Sequence, residues 1–307
     1  MILIKAIMKT YNLYQVDAFT KELFRGNPAG VVLKADGLIE SQMQDIAREM
    51  NCSETAFIFS SNNSKYDVWV RYFTPTVEVP LCGHATIAAH YVRAKVLGLQ
   101  TSTLLSKTGV GILPVDIIKD KNDYKIIMTQ GKIEFGKVIQ DKEQEVLLKA
   151  LGLKVDDLDK HCPIQIVSAG HSKVMIGIKN RNKLNKLSPD LMVLKQLSKQ
   201  INCNGYFIFT FDSGEPNILT AGRMFAPAIG ISEDPVTGNA NGPLGAYLVH
   251  HKLVKHDGNK FTFIGKQGET IKRTGYVDVT VYIKNNEPVK VQVGGNAVIV
   301  FQTKITI

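Results

Sequence analysis

The segment from Arg71 to Ala85 reads RYFTPTVEVPLCGHA, and the segment from Arg223 to Ala240 reads RMFAPAIGISEDPVTGNA. Arg, Phe, Pro and a Gly-x-Ala occur twice in the same order. Upstream, NCSETAFIF begins at Asn51 and NCNGYFIF begins at Asn202. The two Asn positions are 151 residues apart and the two Arg positions 152, close to half of the 307-residue chain. Two separate matches at nearly one spacing imply a duplicated fold, and any architecture for this chain has to be built twice.

Each half has the same order of patterns. A β-rich stretch (YNLYQVDAF, or PIQIVSAGHSKVMIGI) precedes a polar–apolar helix (IESQMQDIAREM, or SPDLMVLKQLSKQI). A strand follows (ETAFIFS, or YFIFTF), then a strand ending in the R-x-F-x-P segment, then a helix of small residues. Ala85, Ile87, Ala88, Ala89, Tyr91, Val92, Ala94, Val96 and Leu97 leave the first of these helices almost no polar face before its C-terminal end, and a helix that is apolar all round is buried. Small residues let strands approach it closely. The expected fold is therefore α+β: two similar halves, each a curved, mostly antiparallel sheet around a central helix. The N-terminal half spans 1–130 with its helix near 83–97. The C-terminal half spans 131–307 with its helix near 239–252, and the last strand is free to return to the N-terminal half. Gly242 and Pro243 weaken the second helix unless they lie in its first turn.

Composition excludes several classes. Apolar residues make up 44% and charged residues 21%, a globular balance far from disorder. No apolar run approaches the roughly 20 residues that span a bilayer. MILIKAIMKTY at the start has no small-residue cleavage site and reads as an ordinary N-terminus, so a cytoplasmic protein without membrane contact is expected. The formal charge of +9 sits in Lys-rich helix faces such as KNRNKLNKLSPD. No basic stretch is interleaved with aromatics, so no nucleic-acid partner is expected; the positive field suits a small anionic substrate. The four cysteines form no C-x-x-C pair, and no histidine shows metal spacing, so no metal is expected. P-loop, G-x-G-x-x-G and G-x-S-x-G motifs are absent, and no cofactor is expected.

Chemistry concentrates at the starts of the two small-residue helices. Gly83 and Gly238 open them, and helix N-termini offer unpaired N–H groups and a positive dipole end, a site for a carboxylate or a developing enolate. Two similar halves are expected to meet across a cleft that takes the ligand. The acids differ between the copies. Glu54 in CSETA has Asn204-Gly205 opposite it in the second half, whereas Glu233-Asp234-Pro235 stands where the first half has Pro80-Leu81. One acid from each half is what a proton transfer between carbons needs, and burial brings a carboxyl group towards working pH. His84, at a helix start, can be held neutral and act as donor or acid/base.

These residues resemble a known family. VDAFTKELFRGNPAGVVL (Val16 to Leu33), MNCSETAFIF (Met50 to Phe59), RYFTPTVEVPLCGHAT (Arg71 to Thr86), GISEDPVTGNANG (Gly230 to Gly242), KQGETIKRTGYVDV and VGGNAVIV look like the phenazine-biosynthesis PhzF-like proteins. The resemblance covers nearly the whole chain. It implies the diaminopimelate-epimerase-like fold and an isomerase that uses neither metal nor organic cofactor, commonly a homodimer. In the family's characterised member an acid of the S-E-T motif moves a proton between carbons of a dihydro-hydroxyanthranilate. That carries over to Glu54, with the family's His on His84, its Asp on Asp234, and its anion-binding turns on Gly83 and Gly238. Asn27, in the RGNPAG motif, is assigned to substrate binding with Asn239. At Asn239 the family often has Ser; Asn can donate a hydrogen bond but is longer and has no hydroxyl.

Two other readings compete. A two-thiol amino-acid racemase or epimerase needs a Cys at each helix start; Cys82 could supply one, and Glu233 to Asn241 contain none. A non-catalytic binding protein on the same fold would not need Glu54.

Overall fold

The computed structural model describes residues 8–307; the opening residues 1–7, part of the segment read as an ordinary N-terminus, lie outside the described residues. The chain divides into two compact units. The first takes the residues up to Phe24, then Pro28–Ile126 and Asn296–Ile307; the second takes Arg25–Asn27 and Ile127–Gly295.

The first unit begins with β1 (Thr10–Ala18), β2 (Asn27–Leu33) and the helix α1 (Glu40–Met50). Then come β3 (Thr55–Ser60), β4 (Val68–Phe73), the short β5 (Glu78–Val79) and α2 (Gly83–Leu97), followed by β6 (Ser102–Thr108), β7 (Gly111–Asp120) and β8 (Asp123–Thr129). The second unit repeats this order after β9 (Ile133–Val138) and α3 (Asp141–Leu151). It has β10 (Gln165–Ala169), β11 (Ser172–Gly177), α4 (Arg181–Asn185), α5 (Leu191–Ile201), β12 (Tyr206–Thr210), β13 (Thr220–Ala226), β14 (Ile231–Asp234) and α6 (Gly238–His250). β15 (Lys260–Gln267), β16 (Gly275–Lys284) and β17 (Glu287–Gly295) complete it. The last strand, β18 (Ala297–Thr306), pairs antiparallel with β1 along its whole length and so belongs to the first unit.

Pairing establishes the duplication residue by residue. β2 runs parallel to β3, and β11 parallel to β12. β3–β4 and β12–β13 are antiparallel, and so are β4–β5 and β13–β14. Each fourth strand then pairs in parallel across the central helix, β4 with β6 and β13 with β15. Thr55 pairs with Gly30 and Phe73, and Tyr206 pairs with Val174 and Phe225, so Thr55 and Tyr206 are equivalent. Tyr72 faces Val79 as Met224 faces Asp234. Glu78-Val79 is therefore the counterpart of Glu233-Asp234. This corrects the comparison with Pro80-Leu81, which are equivalent to Pro235-Val236; only Asp234 is new to the second copy.

The repeated residues have local reasons. Asn51 and Asn202 end α1 and α5 in the left-handed conformation, with φ of 49° and 52°, which Asn tolerates better than most residues. Arg71 reaches from β4 to both oxygens of Glu78 on β5, at 2.7 and 2.6 Å. Arg223 does the same from β13 to Glu233 on β14, at 2.9 and 2.7 Å. The arginines also lie over Phe73 and Phe225, 5.2 and 4.9 Å from the ring centroids. The R-x-F signature is thus a bidentate clamp that fastens the turn in front of the central helix.

Both central helices are buried along most of their length; Val96 and Leu97, read from the sequence as part of the apolar face, are exposed instead, because α2 leaves the core after Ala94. Gly242 and Pro243 lie beyond the first turn of α6, where the sequence reading expects them to weaken the helix; the helix starts at Gly238, they are its fifth and sixth residues, and it continues to His250. Packing overrides propensity here. A Cβ at Gly245 would stand 2.8 Å from Val279 and Val281, so glycine is what lets those strands close on the helix.

Candidate active site

In the first unit the site is built at the start of α2. Cys82 is the residue before the helix, Gly83 its first residue and His84 its second. Glu54 immediately precedes β3, whose first residue, Thr55, is fully buried. The side chain of Glu54 is 15% exposed and that of His84 8%. His84 Nε2 lies 3.2 Å from Glu54 Oε2, and its Nδ1 lies 3.4 Å from Cys82 Sγ. The imidazole and the carboxylate are at ion-pair distance without hydrogen-bond alignment between these two atoms.

Burial pushes the imidazole of His84 down to about 4, so the ring is neutral at physiological pH. Cys82 Sγ, a His84 ring nitrogen and a Glu54 oxygen all lie within 4.8 Å of one another. A thiol, an imidazole and a carboxylate together are also a donor set that a borderline-soft divalent cation accepts. Beneath them Thr86 donates from Oγ1 to the carbonyl of Cys82 at 2.6 Å and meets the buried hydroxyl of Tyr72 at 2.8 Å. These bonds fix the turn from which the helix N–H groups emerge.

In the second unit the start of α6 is wrapped in neutral hydrogen bonds around one carboxylate. Asp234 Oδ1 accepts from Asn27 Nδ2 at 2.8 Å, and Oδ2 accepts a short bond from the hydroxyl of Thr237. Asn27 Nδ2 also donates to the carbonyl of Val236 at 2.8 Å, and Asn27 is fully buried. Gln267 fastens the turn by donating to the carbonyl of Asp234 at 2.7 Å and accepting from the backbone N–H of Thr237 at 3.1 Å. Asn241 bonds back to the carbonyl of Thr237 at 3.0 Å, as Thr86 does to Cys82. Burial pushes the carboxyl of Asp234 up to about 6, against the opposing pull of the Thr237 and Asn27 hydrogen bonds and of Lys173. Gly238 is the first residue of α6 and Asn239 the second. Gln130 donates to Asn239 Oδ1 at 2.9 Å, which leaves the Asn239 amide N–H₂ as the donor end.

The structure thus brings Glu54, Gly83 and His84 together in one unit, and Asn27, Asp234, Gly238 and Asn239 together in the other. Cys82 joins the first group, although the sequence singled it out only for the two-thiol reading. Its counterpart at the start of α6 is Thr237, so the second thiol of that reading is replaced by a hydroxyl bonded to Asp234. Gln267 and Asn241 were not recognised as site residues. The available signal was a second short repeat, Lys107-Thr108-Gly109 against Lys266-Gln267-Gly268, whose lysines pair with Trp69 and Ala221.

The family model for phenazine biosynthesis-like proteins, PhzC-PhzF, matches residues 16–303. The chain belongs to this family. An uncharacterized isomerase of Clostridium acetobutylicum is 62% identical to this PhzF-family chain, over 98% of the chain and 100% of the relative. The trans-2,3-dihydro-3-hydroxyanthranilate isomerase of Pseudomonas chlororaphis is 32% identical over 92% of the chain and 95% of the relative. A crystal structure of a PhzF-family phenazine biosynthesis protein from Bacillus anthracis superposes with a TM-score of 0.88 at 34% identity, covering 97% of this chain and 100% of that one. A hydroxyproline epimerase from Agrobacterium vitis shares the fold, with a TM-score of 0.62 at 11% identity over 97% and 93% of the two chains. The PhzF-family chain is an isomerase, and its α+β architecture is that of these relatives. Among the described residues no helix is long and apolar enough to cross a membrane.

Proposed function

We propose that this isomerase moves a proton between carbon atoms of a small unsaturated carboxylic acid, with Glu54 as the acid/base. The observation that carries the reading is the buried contact of Glu54 with a neutral His84 at the start of α2. A carboxylate at 15% exposure beside a neutral imidazole can take a proton from carbon and return it at a second carbon. Removing a proton next to a conjugated carboxyl group builds negative charge on that group. The N–H groups of Gly83 and His84 at the positive end of α2 suit that charge. His84 Nε2–H can stabilise the carboxylate form of Glu54 and take part in its reprotonation.

Asp234 has both oxygens occupied by Asn27 and Thr237, so its role is to fix the turn that presents Gly238 and Asn239. Those two residues, with Asn27 holding Asp234, form the proposed binding side of the second unit. The relative from Pseudomonas chlororaphis is named for a dihydroaromatic hydroxy-amino acid. This supports cyclic unsaturated carboxylic acids as the first substrates to try. The test is incubation in D₂O with such acids, following deuterium at carbon by mass spectrometry. Wild type should incorporate deuterium and Glu54→Gln should lose about 10²–10⁴-fold of the rate. Exchange at the wild-type rate in Glu54→Gln would remove Glu54 from the chemistry.

A further inference from the structure

The three side chains gathered at the start of α2 all have counterparts in the second unit, and all three differ. Cys82 corresponds to Thr237 and His84 to Asn239, the residue before each central helix and its second residue. Since Thr55 and Tyr206 are equivalent, Glu54 corresponds to Gly205, which has no side chain. Gly30 and Val174 pair with those two residues, so Ala29 before the one corresponds to Lys173 before the other. The carbon chain of Lys173 fills the place over Gly205, where an added Cβ would come within 2.8 Å of Lys173 Cε. The second unit thus has a hydroxyl, an amide and a lysine chain where the first has a thiol, an imidazole and a carboxylate. The last three are the ligand types of a borderline-soft divalent cation; the first three are not.

The geometry is close to what such an ion needs. Tetrahedral zinc holds its ligands about 3.3–3.6 Å apart, given bonds of about 2.0–2.3 Å. His84 Nε2 stands 3.2 Å from Glu54 Oε2, and His84 Nδ1 stands 3.4 Å from Cys82 Sγ. One ligand atom from each residue lies within 4.8 Å of the other two, so small side-chain rotations bring all three onto a common centre. His84 Nε2 is buried and makes no aligned hydrogen bond among the described residues. The backbone is fixed beforehand, because the carbonyl of Cys82 accepts from the N–H and the hydroxyl of Thr86, at 3.0 and 2.6 Å. The positive end of α2 opposes a cation, and the two negative charges of a thiolate and a carboxylate offset that opposition. Coordination turns the Cys82 thiol into a thiolate, its proton passes to solvent, and nothing is oxidised or reduced.

We propose that Cys82, His84 and Glu54 bind a divalent cation of the zinc type, and that the bound ion stops the isomerase by occupying the carboxylate that moves the proton. Water completes the fourth position of the ion. Magnesium, which takes oxygen ligands in an octahedral array, does not fit a set of sulfur, nitrogen and oxygen. The inhibition rests on the reading of Glu54 as the acid/base; the metal site itself does not.

The test titrates zinc chloride, and separately magnesium chloride, into the full chain by calorimetry, for wild type, Cys82→Ser and Glu54→Gln. Wild type should bind zinc and not magnesium. Each substitution should weaken zinc by roughly 100-fold or more, at or above what disturbing an outer hydrogen bond to a metal ligand does. Wild-type affinity in both variants places the ion elsewhere on the surface and overturns the proposal, as does the absence of saturable zinc binding. Where a variant does not fold, wild type decides alone: cobalt(II) should give a thiolate-to-cobalt absorption band that zinc displaces, and a cobalt complex without that band overturns the proposal. Saturating zinc should also suppress deuterium incorporation at carbon, and a chelator should restore it; exchange that continues at full zinc occupancy overturns the inhibition. Zinc binding that needs Cys82 and Glu54, in a protein whose Glu54→Gln variant exchanges at the wild-type rate, would refute Glu54 as the base and leave the metal site standing.

Discussion

The starts of α2 and α6 are the same turn used for two purposes. Cys82-Gly83-His84 and Thr237-Gly238-Asn239 occupy equivalent places, and the fourth residue of each helix bonds back to the carbonyl before it, Thr86 to Cys82 and Asn241 to Thr237. What differs is the chemistry of the side chains. The α2 turn gathers a thiol, an imidazole and a carboxylate that can exchange protons. The α6 turn gathers hydroxyl and amide groups that saturate one carboxylate. A duplicated scaffold can keep the backbone donors at both helix starts while the side chains around them diverge.

The comparison breaks first at the acids. Glu54→Gln should cost about 10²–10⁴-fold in proton-transfer rate. Asp234→Asn should cost distinctly less, because its oxygens already serve the turn. Equal losses, measured as deuterium incorporation, would make Asp234 a second proton-transfer group.

The two Arg clamps offer the next contrast. Arg223 is 6% exposed, facing a Glu233 at 11%. Arg223→Ala leaves that acid buried and unpaired and should destabilise by about 3–5 kcal/mol. Arg71 is 16% exposed, and its second partner, Glu40, is 72% exposed. Arg71→Ala should cost no more than about 1 kcal/mol by the same denaturant measurement. Equal costs would mean that burial is not what distinguishes the clamps.

Acidity sharpens the comparison because the two sites respond with opposite sign. The folded chain holds His84 near 4, below its ordinary 6.5, so the unfolded chain takes the proton first and stability falls as pH drops from 6.5 towards 4. It holds Asp234 near 6, above its ordinary 3.8, so the folded chain takes the proton first and stability rises as pH drops through 6. Between pH 7 and 5 each contributes on the order of 1–2 kcal/mol, in opposition. His84→Asn should therefore gain stability relative to wild type on acidification, and Asp234→Asn should lose it. Parallel pH profiles for wild type and both variants would refute these assignments.

A comparably small effect concerns the shared turn. Thr86→Val leaves the buried Tyr72 hydroxyl without its partner and should cost about 1–2 kcal/mol. Asn241→Leu should cost about 1 kcal/mol, since Gln267 keeps its bond from the Thr237 backbone. A much larger loss in one copy would show that the turn is not equivalent in the two.

The duplication was legible because its signal is local. Left-handed Asn caps, Arg clamps and small-residue helices each need particular residue types at fixed neighbours. The central helices were equally legible, since almost no polar face remains on Ala85 to Ala94. Equivalences that cross strands were not. Val79 and Asp234, or Ala29 and Lys173, correspond through hydrogen-bond register, and loops of unequal length make their separation along the chain drift. The partners of Asp234 come from residues 27, 237 and 267, which only folding collects. Gly205 read as an absence of chemistry because the side chain that fills its place comes from the neighbouring strand. Pro243 failed as a boundary signal because packing on every side of α6 outweighs one missing backbone donor.

The pairing of β18 with β1 has a consequence for how the protein is made. Residues 10–18 leave the ribosome early, yet their partner strand follows all of residues 127–295. Throughout synthesis of the second unit, one edge of β1 has no native partner. The second unit, by contrast, needs only Arg25–Asn27 from earlier in the chain, and these are already present when its own residues emerge. The unit encoded second can therefore finish first, and Glu54 and His84 wait in an incomplete sheet until the last strand arrives.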